Sequence, residues 1–264
     1  DFGIKNGDYV LIPRDGKHIV GRYRKVADDT SKFYTILKHL NKNGVSDLAS
    51  LGMNSYFDYP KPISLLIDFI QGVTISSKKD DNIVLDFFSG SAATAHAVMK
   101  LNAEDGGNRR FIMVQLPELT DEDSKAYNAG YDNICEIGEE RIRRAGEKIK
   151  EEHPEVADTL DTGFRIFYVD DSNFNPGVKV SPSEYNHQEL DLFADNIKPD
   201  RTDLDLLFGS ILAWGLQLDM PMETEEVDGC KIYTVNDGDL VACFAENVTE
   251  RATETRAEKE PQRV

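Results

Sequence analysis

The chain has 264 residues, 40% of them hydrophobic, and a net charge of −18 at pH 7, so it can bury a sizeable core but cannot bind nucleic acid indiscriminately over its whole surface. It lacks an apolar run of about 18 residues and a signal-type leader, which makes the cytoplasm the expected location and argues against a membrane partner. Its three cysteines, Cys135, Cys230 and Cys243, lack C-x-x-C spacing and read as reduced structural residues rather than metal ligands.

The charge is unevenly spread. Residues 1–62 carry ten Lys/Arg against seven Asp/Glu, residues 63–150 eleven against fifteen, and residues 151–264 nine against twenty-six. A DNA-facing surface therefore belongs at the amino end. There, Tyr9-Val10-Leu11-Ile12 and His18-Ile19-Val20-Gly21-Arg22-Tyr23 flank Pro13-Arg14-Asp15-Gly16, which predicts a β-hairpin or small sheet. Arg14, Lys17, Arg22, Arg24 and Lys25 cluster on it, either to meet phosphates or as an ordinary solvated face. Asn41 to Ser55 is polar and glycine-punctuated, and is read as a domain boundary.

Pro60-Lys61-Pro62 forces extended backbone and then starts a helix, with Pro62 suited to its first turn. Ile63, Leu66, Ile67 and Ile70 recur at helical spacing. Ile83-Val84-Leu85 then reads as a strand buried on both faces of a parallel sheet, with Asp86 at its carboxyl end. In an open α/β sheet that end opens onto the crevice where ligands bind. Gly90 permits close approach of backbone to a ligand, and either Ser89 or Ser91 is placed to cap the alanine-rich helix that follows. There is no G-x-G-x-x-G and no lysine-bearing phosphate loop, so a ligand combining a nucleoside with an amino-acid tail fits better than a dinucleotide or a nucleoside triphosphate.

Phe111-Ile112-Met113-Val114 predicts a second buried strand, followed by Gln115 and Glu118 as joint candidates to accept hydrogen bonds from ribose hydroxyls. Ile134, Ile137, Ile142, Ala145 and Ile149 mark an amphipathic helix with Glu139, Glu140, Arg141, Arg143 and Arg144 on its wet face. Phe164 to Val169 is expected to be a third strand, with Asp170 and Asp171 bordering an adenine pocket or simply ending the strand. Asp171 to Asp200 reads as an extended arm. A second amphipathic helix (Leu204, Leu207, Phe208, Ile211, Leu212, Leu218) precedes a hairpin around Asn236-Asp237-Gly238, and the charged residues from Thr249 are expected to fray. His96 and Trp214 are read as packing residues.

Four stretches, Tyr59-Pro60-Lys61-Pro62, VLDFFSGSAATAHAVM, NRRFIMVQLPE and ICEIGEERIRRAGEKI, occur in that order. Together they resemble the cofactor-binding motifs of amino-methylating DNA methyltransferases, and most closely the modification subunit of type III restriction-modification systems. The likeness covers Tyr56 to Lys150 well and the remainder loosely. It implies that S-adenosylmethionine is the cofactor, held by Lys61, Pro62, Asp86, Phe88, Ser89, Gly90, Ser91, Thr94, Gln115 and Glu118, with Lys61 pairing the methionine carboxylate. Where relatives often carry a second glycine, this chain has Ala92. The enzymes it resembles act through an Asp-Pro-Pro-Tyr tetrapeptide, but this sequence contains no Pro-Pro pair, so no catalytic residue is assigned.

The expected fold is α/β, a Rossmann-like S-adenosylmethionine-dependent methyltransferase fold that is incomplete, with a small α+β carboxyl-terminal appendage. Residues 1–55 would end a target-recognition region, 56–170 bind cofactor, and 171–264 form an assembly appendage. The resemblance implies double-stranded DNA and a restriction subunit as partners, with a homodimer expected. The function expected is the carboxyl-terminal, cofactor-binding part of an adenine-specific DNA methyltransferase, inactive alone. The alternatives are a small-molecule methyltransferase and a non-catalytic assembly module of a restriction complex.

Overall fold

The computed structural model describes residues 9–14, 16–22, 37–74, 82–175 and 196–263. Arg24, Lys25 and most of the expected arm lie outside the described residues, as do the side chains of Arg14 and Arg22. The chain forms two units, residues 1–163 and 164–264.

In the first unit, β1 (Tyr9–Arg14) and β2 (Lys17–Arg22) form the expected antiparallel hairpin, with Arg14 opposite Lys17. The polar stretch after it folds as helix α1 (Lys42–Ala49), burying Leu48. Gly44, read from the sequence as loop punctuation, is there for close packing. A Cβ on it would lie 1.9 Å from the Pro60 carbonyl oxygen, so only glycine lets α1 meet the Lys-Pro element. Helix α2 (Ile63–Thr74) follows, and its first amide, on Ile63, donates to Asp47 Oδ2 at 2.9 Å.

Strands β3 (Ile83–Phe87) and β4 (Arg110–Val114) pair in parallel, joined by helix α3 (Ala93–Asp105). Ala93, Ala95, Ala97 and Ala103 let α3 sink between its neighbours, so residues 91–99 are buried without a break. Its Ala97, Val98 and Leu101 pack with Ile63 and Ile70 of α2, and with Val84 and Phe111 from the inner face of the sheet. Arg109, just before β4, is buried and fully paired, holding both Asp105 oxygens, Thr74 and Asn102. A short helix α4 (Lys125–Asn128) precedes α5 (Ile134–Glu152), which Asn133 caps by accepting from the Cys135 and Glu136 amides. Helix α5 packs along α3.

Two expectations fail in this unit. The strands are covered on one face only, because Ile83, Leu85, Phe87, Ile112 and Val114 are 43–62% exposed among the described residues. Arg141 is not on the wet face of α5 but fully buried.

The second unit is a β5-β6-β7 antiparallel sheet (Met222–Val227, Cys230–Val235, Leu240–Ala242) between two helices. Alternation along β6 explains this arrangement. Tyr233 and Val235 face Leu207 and Ile211 of α6 (Asp203–Ala213), whereas Cys230 and Ile232 face Ala252 of α7 (Glu250–Glu258). The hairpin around Asn236–Gly238 is as expected. Residues from Thr249 do not fray, since Thr249 caps α7 and Ala252 is fully buried. Phe164 to Val169 is no third strand of the parallel pair. It belongs to this unit, where Phe167 packs edge-on to Phe208 at 4.9 Å and Arg165 donates to the Leu218 and Met220 carbonyls. Asp170 and Asp171 pair with Arg201.

Candidate cofactor-binding turn

The chain leaves β3 at Phe87 and reaches α3 through a turn that ties the carboxyl ends of both strands together. The Ser89 amide donates to the Val114 carbonyl at 3.2 Å, and the Gly90 amide donates to Gln115 Oε1 at 2.7 Å. Gln115 Nε2 donates in turn to the Leu116 carbonyl. Asp86, last but one in β3, accepts from Thr94 Oγ1 at 2.5 Å through Oδ2, which fixes one carboxylate oxygen against the first turn of α3.

Alternate residues of this turn take left-handed backbone: Phe88 at φ 61°, Gly90 at 54° and Ala92 at 55°. Such conformations are uncommon for side chains larger than glycine and concentrate where a site over-determines them. Phe88 is turned outward and is 75% exposed. Ala92 likewise adopts a left-handed conformation that favours glycine. Neither Ser89 nor Ser91 caps α3, whose start has no side-chain cap. Ser91 is withdrawn because its oxygens face Arg141.

Helix α5 lies directly behind the turn. A Cβ on Gly138 would sit 3.4 Å from the Gly90 carbonyl oxygen and 3.5 Å from the Ala92 methyl. One turn earlier, Cys135 Sγ donates to the Gln115 carbonyl at 3.5 Å. Burial, with help from Glu139 and Glu136, pushes that thiol's pKa up, so it stays protonated and able to donate. One turn later, Arg141 Nη1 donates to Ser91 Oγ at 2.8 Å and to the Ser91 carbonyl at 3.3 Å. Burial lowers the Arg141 pKa to about 10 while Asp47 acts the other way, so it remains cationic. Beside it His96 is 5% exposed and held neutral, its pKa driven down to about 3 by burial and then by Arg141, Lys100 and Lys148.

Across the turn, Phe57 closes over Gly90, its Cζ 3.1 Å from where a Gly90 Cβ would stand. Pro62 is buried at the entry to α2. Lys61 is exposed and lines a cavity of about 210 Å³ with Asn41, Lys42, Val45, Tyr59 and Pro60, none of which belongs to the turn. Glu118 is exposed and contributes backbone, its carbonyl accepting the first amide of α5.

Asp86 with Thr94 and Gly90 with Gln115 are thus bonded pairs within one constellation, in which Ser89 bonds Val114, Ser91 bonds Arg141, and Phe88 is exposed. Lys61 and Glu118 stand outside those bonds. Sequence reasoning missed Phe57, Asp47, Cys135 and Arg141. For Arg141 the signal was present, because it continues the four-residue row of Ile137, Ala145 and Ile149, all buried. Among the described residues there is no cluster of His, Cys, Asp or Glu suited to a metal, and no helix long and apolar enough to cross a membrane.

A family model for N6/N4 methyltransferases, described as DNA methylase, matches residues 14–147, which include the whole turn, β4 and most of α5. The chain is 43% identical over 127 residues to the type III restriction-modification enzyme StyLTI Mod subunit of Salmonella typhimurium, covering 48% of this chain and 19% of that protein. It is 30% identical over 232 residues to the EcoPI Mod subunit of Escherichia phage P1, covering 86% of this chain and 34% of that protein. The EcoP15I Mod subunit of Escherichia coli is 31% identical over 207 residues, covering 78% of this chain and 29% of that protein. The chain therefore spans about a fifth to a third of the length of these relatives. By the family match over half its length and the constellation that lies within it, the chain belongs to the N6/N4 DNA methylase family.

Proposed function

We propose that this chain is the cofactor-binding part of an adenine-specific DNA methyltransferase of the type III modification kind, built on a Rossmann-like fold, with S-adenosylmethionine as cofactor. The observation that carries the reading is the Gly90 turn bonded to Gln115, which joins the carboxyl ends of two parallel strands at the place where α/β sheets take ligands. The residues present suit that cofactor. The start of α3, which has no side-chain cap, offers backbone to a polar group, Phe88 and Phe57 offer rings to a nucleoside, and Gln115 and Asp86 offer acceptors for hydroxyls. When bound, the cofactor supplies the methyl group. This chain's residues bind and orient it, and Pro62 with Lys61 and Glu118 would complete the wall.

The amine that accepts the methyl group needs a base taken out of the duplex and a group to orient it. With no Pro-Pro pair in the sequence, we assign that step to residues outside this chain. The uncovered face of β3 and β4 supports this assignment, since parallel sheets are ordinarily packed on both faces. Double-stranded DNA and a restriction subunit are the partners proposed for the whole protein in the cytoplasm. Residues 1–55 would serve target recognition, and the second unit would serve assembly, including self-association. Leu204, Leu212 and Trp214, all exposed around α6, favour this assembly role.

The test is transfer of labelled methyl from S-adenosylmethionine to DNA by the chain alone and with the preceding part of a type III modification subunit added. The expected result is no transfer in the first case and transfer to adenine in the second. Transfer by the chain alone would overturn the division of labour and favour a catalytic site within these residues.

A further inference from the structure

Arg141 poses a physical problem. Its side chain is completely buried, yet among the described residues its Nε and Nη2 have no hydrogen-bond partner and no carboxylate bonds it. A buried guanidinium with unmade bonds is costly, and an apolar side chain of similar volume in the row of Ile137, Ala145 and Ile149 would pack at no such cost. Arg109, whose side chain is also fully buried, shows what a merely structural arginine looks like in this fold, with both of its carboxylate bonds made.

The bonds Arg141 does make are both to one residue, Ser91, and from one nitrogen. Holding the Ser91 carbonyl and hydroxyl together fixes the peptide that leads into Ala92, the alanine held in left-handed backbone.

We infer that Arg141 is a positioning residue for the Gly90 turn, which sets the conformation of Ser91 and Ala92. That the ligand is S-adenosylmethionine rests on the function proposed above, whereas the control of the turn does not.

Hydrogen exchange on the full chain, together with calorimetric titration of S-adenosylmethionine, tests both parts. In Arg141→Met the amides of Gly90, Ser91 and Ala92 should exchange at least about tenfold faster and the cofactor's Kd should rise at least about tenfold, while amides of β4 keep their protection. Arg141→Lys, which keeps the charge but has a shorter reach and no planar guanidinium to fix the donor's direction, should fall between. Ser91→Ala, which removes one acceptor and leaves the arginine in place, should show the turn effect in smaller measure even where Arg141→Met does not fold. Unchanged exchange at the turn, or faster exchange spread evenly over α3, α5 and β4, would overturn the inference and make Arg141 a packing residue. A turn that loosens in a protein that never bound the cofactor would uphold the positioning role and refute the assigned ligand.

Discussion

Acid should unfold the first unit through His96 before it reaches most of the carboxylates. The imidazole is buried on α3, its Nδ1 has no partner among the described residues, and its pKa in the fold is about 3 against 6.5 for a free histidine. Because the folded value lies below the unfolded one, the unfolded chain takes the proton first, and stability falls as pH falls from about 6.5 towards 3. Each pKa unit is worth about 1.4 kcal/mol, so between pH 7 and 5 this one group should remove about 2 kcal/mol. That interval lies above the range in which Glu140, held low by the Arg144 and Arg143 guanidiniums despite its burial, takes up its proton. Trp214, the only tryptophan, lies in the second unit, so fluorescence would report the wrong part of the chain. The assay is hydrogen exchange at the Val98 and Leu101 amides, corrected for intrinsic rate, at pH 7, 6 and 5. His96→Leu should flatten the dependence by about 2 kcal/mol over this interval. Parallel curves for the two proteins would refute the reasoning and place the proton elsewhere.

Two further outcomes follow from backbone and surface. Ala92→Gly should be neutral to stabilising by up to about 1 kcal/mol in thermal unfolding, because glycine relieves the left-handed strain at the cost of chain entropy; a loss beyond about 1 kcal/mol would mean that the methyl packs rather than strains. Leu85→Lys with Ile112→Lys, on the uncovered face of the sheet, should change the stability of this chain by less than about 0.5 kcal/mol each yet abolish methyl transfer restored by the complementing part; a large loss of stability in the isolated chain would show that the face is already covered.

The parts of this fold legible in the sequence were those where residue type and burial agree. Continuous apolar runs marked β3 and β4, and spacing marked α2, α5 and α6. The same runs misled about covering, because apolarity says a face is meant to be buried and not which polypeptide buries it. Charge misled at Arg141, where position in the buried row of α5 outweighed residue type. It misled again at Glu250–Glu258, a charged stretch that needs to bury only one small contact, Ala252, to cover the sheet. Gly44 read as a loop because glycine bends chains, although here it admits the Pro60 carbonyl. At the site, the turn and Gln115 were legible as positions. Their bonding was not, because it depends on α5, which follows in sequence but lies behind the turn in space.

The central claim is that the Gly90 turn holds the cofactor, and calorimetric titration of S-adenosylmethionine tests it most directly. Gly90→Val places a branched side chain on left-handed backbone and against Phe57, whereas Gly106→Val imposes similar backbone strain at φ 68° with no atom within 4 Å of its Cβ. Heat of binding in the natural chain and in Gly106→Val, with none in Gly90→Val, is the predicted result; no binding by the natural chain, or equal heats in all three, would contradict it.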